Sequence, residues 1–243
     1  MLYLRTWIFK ILFIPITVLW SAFIVCLVVL PFPLRLRLAF GWGYTTIWLA
    51  RLLVGIKWQI HHMEKMPQGA CVLMVNHQST WETAFLPNLK LRQVWVLKKE
   101  LMRLPFFGWA LAVLRPVPID RKHKRQAMQK VIEEGRKRIK TGYSVILFPE
   151  GTRVPADAPI PFKLGAARLA AALGVPAVPV AHNAGQFWPK RGLMHPGTIH
   201  VVVGDPIDTV GKSATEINAE AESWINEIRA SLVKDEKNLR GER

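Results

Sequence analysis

The sequence predicts an α/β protein, with a mostly parallel or mixed central sheet flanked by helices and an N-terminal apolar helical membrane anchor ahead of it. From about residue 58, short β-rich runs ended by turn residues alternate with helical stretches, the order that builds a largely parallel sheet covered by helices. Before that point, residues 11–30 carry no charge at all. Composition bounds the reading: 243 residues, 51% hydrophobic, suit one large or two small domains and exclude a disordered polyelectrolyte, which lacks the side chains to fill a core. The formal charge of +16, from 33 Lys and Arg against 17 Asp and Glu, calls for an anionic partner. With this apolar fraction, anionic lipid competes with nucleic acid for that place.

The anchor comes first. Residues 11–30 are mostly Ile, Leu, Val, Phe and Trp, long enough to cross a hydrocarbon core of about 30 Å. A secretory signal peptide would have a shorter apolar core and a small-residue cleavage site, so an uncleaved anchor is expected. After Pro31 and Pro33, a second apolar stretch at 38–55 is interrupted by Gly41, Gly43 and Arg51 and reads as interfacial or re-entrant. No acidic residue precedes Glu64, and five of the ten Trp lie before residue 60 (Trp7, Trp20, Trp42, Trp48 and Trp58), as the headgroup region favours. Cations flank the first segment on both sides, so charge does not separate a full span from a hairpin inserted from one face. The expected division is 1–57 for the membrane-anchoring helices and 58–243 for the α/β domain. Cys26 and Cys71 are far apart and form neither a disulfide framework nor a zinc pattern.

Strands are expected at 70–75, 93–97, 117–119, 144–148, 177–180 and 199–203, and helices at 80–86, 122–140, 164–173 and 214–234. Ligands of such sheets sit beyond the carboxyl ends of the strands, so the residues just after each strand hold the chemistry. After 70–75 comes Asn76-His77-Gln78-Ser79-Thr80-Trp81-Glu82. With His77 ahead of a helix and Glu82 in its first turn, the carboxylate can reach back to one ring nitrogen, fix the tautomer and leave the other nitrogen as a base. Ser79-x-x-Glu82 is also a capping box, which accounts for Glu82 without catalysis. After 144–148 comes Pro149-Glu150-Gly151-Thr152-Arg153, a tight loop whose Arg153 suits a phosphate, or else a plain surface turn. Arg121 follows 117–119, either facing the same edge or starting a basic helix, and Lys98 and Lys99 follow 93–97. The run 104–114 reads equally as an acyl-chain path or as core, 122–140 as a docking or a solvated face, and 214–234 as a packing helix.

These segments, in this order, resemble the glycerolipid acyltransferases, the family that includes the bacterial 1-acyl-sn-glycerol-3-phosphate acyltransferases. The resemblance covers roughly residues 60–210. Asn76, His77 and Glu82 match the family's Asn-His-x4-Asp motif, with Glu in place of Asp, one methylene longer. Ile119-Asp120-Arg121 matches its second motif, Phe148 to Arg153 its third in full, Val175-Pro176-Ala177-Val178-Pro179 its fourth, and Lys98-Lys99-Glu100-Leu101 its Lys-x-Glu-Leu element. The resemblance implies transfer of a fatty acyl group from acyl-CoA or acyl carrier protein to the sn-2 hydroxyl of lysophosphatidic acid, giving phosphatidic acid. It implies no cofactor, no metal and no acyl-enzyme. His77 and Glu82 are then catalytic, Arg121, Arg153 and Lys98 hold the substrate phosphate, and Glu150, Gly151 and Thr152 orient the glycerol part. Membrane phospholipid, lysophosphatidic acid and acyl carrier protein are the implied partners, without nucleic acid. The implied location is the inner membrane, with the catalytic domain facing the cytoplasm.

Other classes lack their marks. There is no Gly-x-Ser-x-Gly of a serine esterase and no His-Glu-x-x-His of a zinc hydrolase. The remaining alternatives are an acyltransferase for another acceptor, such as glycerol 3-phosphate or a lyso-ornithine lipid, and a non-catalytic protein that binds anionic membranes.

Overall fold

The computed structural model describes residues 1–90, 92–120, 124–156, 158 and 161–240. Two long helices open the chain, α1 (Leu2–Cys26) and α2 (Phe32–Val54). Seven strands follow, β1 (Ile56–His61), β2 (Val72–Val75), β3 (Gln93–Lys98), β4 (Val117–Ile119), β5 (Ser144–Leu147), β6 (Ala177–His182) and β7 (Gly197–Val203). Between and after them lie α3 (Trp81–Phe85), α4 (Phe107–Val113), α5 (Lys124–Lys140), α6 (Gly165–Leu173), α7 (Ala184–Phe187) and α8 (Ala214–Arg240). The strands form one sheet in the order β1-β7-β6-β2-β5-β3-β4. Strands β2 to β6 are mutually parallel, β7 runs antiparallel to β6, and β1 is parallel to β7, so the sheet is mixed. The carboxyl ends of the five parallel strands therefore share one edge.

Both faces of the sheet are covered. On β2, Leu73 and Val75 pack with Trp81, Phe85, Ile47 and Phe9 on one side, while Val72 and Met74 join Val131, Leu169, Ala170 and Ile225 on the other. This alternation is the period of two that a strand imposes, made apolar on both sides by burial in a parallel sheet. Helix α5, expected from its basic residues as a docking or solvated face, does both jobs of an amphipathic helix. Val131 is buried and Met128, Ile132 and Ile139 lean on the core, while Lys130, Arg136, Lys137 and Lys140 are exposed.

The N-terminal helices pack against the sheet, with Phe9, Ile47, Ala50 and Val54 in the same core cluster as Leu73 and Val75. The expected boundary at 57/58 falls inside β1, which starts at Ile56 immediately after Gly55 ends α2 in a left-handed conformation (φ +86°). Strand β1 is absent from the expected strands, although Ile56, Trp58 and Ile60 alternate with Lys57, Gln59 and His61 and turn toward the core. The stretch expected to be interfacial packs one face on the core through Leu36, Phe40, Ile47, Ala50 and Val54 and leaves Leu34, Trp48 and Leu52 exposed along α2. Helix α1 faces two solvents. Phe9 and Ile24 are buried against the protein, whereas Tyr3, Leu4, Trp7, Ile11, Ile14, Leu19 and Phe23 are exposed. Among the described residues, Leu2–Val29 is the helical stretch long and apolar enough to cross a membrane, and most of it is uncovered by protein. This helix associates the chain with a membrane. The run 104–114 splits similarly: Gly108 and Ala110 are buried beside α1, and Leu104, Phe106 and Trp109 are exposed next to its apolar face.

Gly43 is the closest approach between α2 and α3. A Cβ at this position would collide with the backbone carbonyl of Ala84. Gly43→Ala is expected to cost about 1–3 kcal/mol through overpacking and to displace α3, while Gly69→Ala, with open space around it, changes neither stability nor activity. Denaturation midpoints of the two variants in the same detergent check this.

Candidate active site

The end of β2 carries the central constellation. Asn76 is clamped to the end of β6: its Nδ2 donates to the His182 carbonyl and its Oδ1 accepts the His182 amide, both at 2.9 Å. The His182 ring completes the clamp, with Nε2 2.7 Å from the Asn76 carbonyl and Nδ1 accepting the Ala184 amide at 3.2 Å. Both ring nitrogens are thus occupied by backbone, in the neutral form that burial, the main cause of its lowered pKa, also favours. With Asn76 fixed, the chain turns and delivers His77 to the edge.

His77 Nδ1 lies 2.7 Å from Glu82 Oε1. The same oxygen accepts the amides of Gln78 and Ser79, each at 2.9 Å, and Ser79 Oγ accepts the Trp81 amide at 3.1 Å. The capping and catalytic readings of Glu82 are therefore not rivals, because one carboxylate oxygen closes the start of α3 and receives the imidazole. Glu82 is 1% exposed. Burial works to raise its pKa, but the His77 hydrogen bond, the fields of His182 and His77 and the Ser79 amide outweigh it, and the net shift is downward. An ionised Glu82 sets Nδ1 as the protonated nitrogen and leaves Nε2 as the base of a ring 19% exposed and stacked on Phe148 at 4.2 Å.

The loop after β5 closes the other side. Gly151 turns the chain at φ +71° and donates its amide to the Phe148 carbonyl at 3.0 Å, so this N–H is engaged in the turn. Val154 donates to the His77 carbonyl at 2.8 Å, and Arg153 Nη1 to Thr80 Oγ1 at 3.1 Å, which places the guanidinium at the start of α3. Thr152 is exposed on the same loop. Glu150 turns inward, 1% exposed, with Oε2 accepting the His77 amide at 2.9 Å and Oε1 3.7 Å from Arg229 Nη1. Lys98 stands at the carboxyl end of β3, half-exposed and 3.7 Å from Glu100, outside the hydrogen-bonded cluster. Arg121 lies outside the described residues. Among those described, no group of three or more His, Cys, Asp or Glu converges as a metal-ligand set.

Sequence reasoning missed three contributors. His182 reads as the end of a strand, although its place beside Asn76 makes the clamp. Lys163 comes within reach of the loop only through folding, its Nζ 2.8 Å from where a Cβ on Gly151 would sit. Arg229 carried a signal: it continues the stripe Ile217, Ala221, Ile225 at steps of four along α8, and an arginine on a buried apolar stripe needs an inward partner.

Burial pushes the Glu150 carboxyl up to about 8, with the His77 amide and Arg229 pulling against it. A carboxyl whose pKa is raised by folding stabilises the fold fully below its unfolded value of 4.5, and that contribution is lost as pH rises to about 8. Thermal melts between pH 5 and 9 are expected to show native protein losing stability relative to Glu150→Gln across this window. A constant difference would contradict it.

The comparisons with known proteins agree with this geometry. An Acyltransferase family model matches residues 57–183. The chain is 42% identical over 209 residues to the 1-acyl-sn-glycerol-3-phosphate acyltransferase of Pseudomonas aeruginosa, covering 84% of this chain and 81% of that one. It is 32% identical over 176 residues to a chloroplastic 1-acyl-sn-glycerol-3-phosphate acyltransferase of Brassica napus, covering 70% of this chain and 50% of that one. The crystal structure of the 1-acyl-sn-glycerophosphate acyltransferase PlsC from Thermotoga maritima superposes with a TM-score of 0.78 over 96% of this chain and 98% of that one, at 22% identity, a likeness of fold. With a buried carboxylate holding a histidine at the matched strand edge, the chain belongs to the acyltransferase family.

Proposed function

We propose that this chain is a membrane-associated 1-acylglycerol-3-phosphate O-acyltransferase, transferring a fatty acyl group from an acyl thioester to the sn-2 hydroxyl of lysophosphatidic acid to give phosphatidic acid. The observation that carries the chemistry is the 2.7 Å contact between His77 Nδ1 and the buried Glu82 carboxylate. In this reading His77 Nε2 takes the proton of the acceptor hydroxyl as its oxygen attacks the thioester carbonyl. Glu82 stabilises the imidazolium that forms. The new C–O bond stays, the C–S bond breaks, and the proton passes from His77 to the departing thiolate, so no acyl-enzyme and no metal are needed. The 42% identity to the Pseudomonas acyltransferase supports lysophosphatidic acid as acceptor.

Arg153, placed at the start of α3 beside His77, is the cation we assign first to the acceptor phosphate, because its planar fork donates two hydrogen bonds at once. Arg121 and Lys98 are assigned to the same phosphate by their motif positions, and Gly151 and Thr152 to the glycerol part. Glu150, turned inward, serves the site through the His77 amide. Acyl-CoA or acyl carrier protein is the donor, and the basic outer face of α5 suits the acidic surface of a carrier. Residues 1–57 form the anchoring helices and 58–243 the acyltransferase domain, placed on the cytoplasmic side of the inner membrane. In the chain's own numbering both share a core, so the anchor also sets how far the site stands from the bilayer.

His77→Ala is expected to lower kcat by a factor of about 10²–10⁴ with the melting temperature little changed. Near-native turnover in that variant would rule the mechanism out. Glu82→Asp keeps the charge and is expected to lose less than Glu82→Gln, which keeps an acceptor and removes the charge. Equal small losses would reduce Glu82 to a helix cap. Purified enzyme assayed with acyl-CoA and acyl carrier thioesters against lysophosphatidic acid and glycerol 3-phosphate identifies both co-substrates.

A further inference from the structure

Helix α8 contributes a buried cation to the site from outside the segment matched by the family model, which ends at residue 183. Arg229 is 3% exposed. Its Nη1 lies 3.7 Å from Glu150 Oε1 and donates to Asn226 Oδ1 at 3.3 Å, while Nη2 faces the carbonyls of Pro155, Ala156 and Ala158 at 3.3, 3.4 and 3.3 Å. These carbonyls belong to the segment that leaves Arg153. Glu150, with Oε1 3.7 Å from this guanidinium, uses its other oxygen to hold the His77 amide at 2.9 Å, and Val154 at the head of the same segment donates to the His77 carbonyl at 2.8 Å. Both backbone groups of the histidine are therefore tied to a loop whose inner side rests on one guanidinium.

We propose that Arg229 is a positioning residue of acyl transfer: by holding Glu150 and the carbonyls of Pro155, Ala156 and Ala158 together, it sets the height and tilt of the His77 backbone and the direction of Arg153. The alternative, that Arg229 only packs α8, does not account for its choice of partners. A packing residue on the stripe of Ile217, Ala221 and Ile225 would be apolar, because a guanidinium taken from water is costly unless its donors are satisfied. Here Nη1 and Nη2 turn to the loop of the site and to a residue of their own helix.

The proposal rests on the acyltransferase reading above for its kinetic arm, and has a second arm that does not. Arg229→Met is expected to lower kcat tenfold or more with KM for lysophosphatidic acid raised by less, and Arg229→Lys to recover part of the loss. Ile225→Ala, which removes packing from the same stripe, is expected to lower the melting temperature and keep kcat. In a double-mutant cycle with Glu150→Gln, the double variant is expected to be no slower than the slower single variant, because both act through one contact. The second arm needs no turnover. Among the described residues, Arg229 pulls the Glu150 carboxyl down and Glu82 pushes it up, beside the His77 amide that also lowers it. Removing the guanidinium therefore moves the Glu150-dependent fall of stability to higher pH, and Arg229→Lys leaves it where it is in native protein. Should Arg229→Met not fold, Arg229→Lys against Ile225→Ala carries the kinetic comparison. Native kcat in a folded Arg229→Met, multiplicative losses in the cycle, or an unmoved pH window would each overturn the proposal. Loss of the kinetic arm in native protein with the pH shift intact would instead indict the assigned reaction.

Discussion

One carboxylate oxygen organises this molecule. Glu82 Oε1 accepts from His77, Gln78 and Ser79 at once, and it does so where water cannot substitute for any of them. A carboxylate buried to this degree ionises only if hydrogen bonds and opposite charge outweigh its lost hydration. All three donors come from the turn immediately before α3, so the geometry of that turn and the charge of the acid depend on each other. The turn in turn depends on its supports: Asn76 clamped to His182 on one side, Val154 and Glu150 on the other, and α3 pressed by Gly43 of α2 from outside. Val154 and Glu150 bond the His77 backbone directly, and the His182 clamp acts on the residue before it.

The N-terminal helices illustrate how one segment can serve two environments. Along α1, Phe9 and Ile24 are packed into protein while Ile11, Leu19 and Phe23 remain uncovered, so the helix is apolar all round for two separate reasons. Apolar side chains gain as much from lipid as from a protein core, and an all-round apolar helix therefore does not reveal by composition which face goes where. The consequence is mechanical. An anchor that shares its core with the catalytic sheet cannot move independently of it, and a lipid acceptor meets an active site at a fixed height rather than one at the end of a tether.

Two inward-facing carboxyls, Glu82 and Glu150, flank the His77 backbone and are pushed in opposite directions. Glu82 has three donors on one oxygen and is held ionised. Glu150 has one amide and a guanidinium at 3.7 Å, and burial wins. The pair differs in charge: the ionised acid receives the His77 ring nitrogen, and the largely neutral one meets the His77 amide without adding a second negative charge beside it.

The amino-acid sequence by itself determined the α/β order, the apolar first helix, the strand-end positions and the pairing of His77 with Glu82, because these follow from local periodicity, turn residues and motifs of fixed spacing. It could not separate a cap from a catalytic acid at Glu82, since both readings place the same carboxylate in the first turn of the same helix. Strand β1 also carries a local signal, since Ile56, Trp58 and Ile60 alternate with Lys57, Gln59 and His61, though it is short and follows directly on an apolar helix. Tertiary structure alone decided which face of α2 enters the core, that Glu150 turns inward, and that Arg229, 79 residues along the chain from Glu150, closes the loop. Those outcomes depend on which elements the sheet brings side by side, and an arginine on an apolar stripe announces only that it needs a partner, never which one.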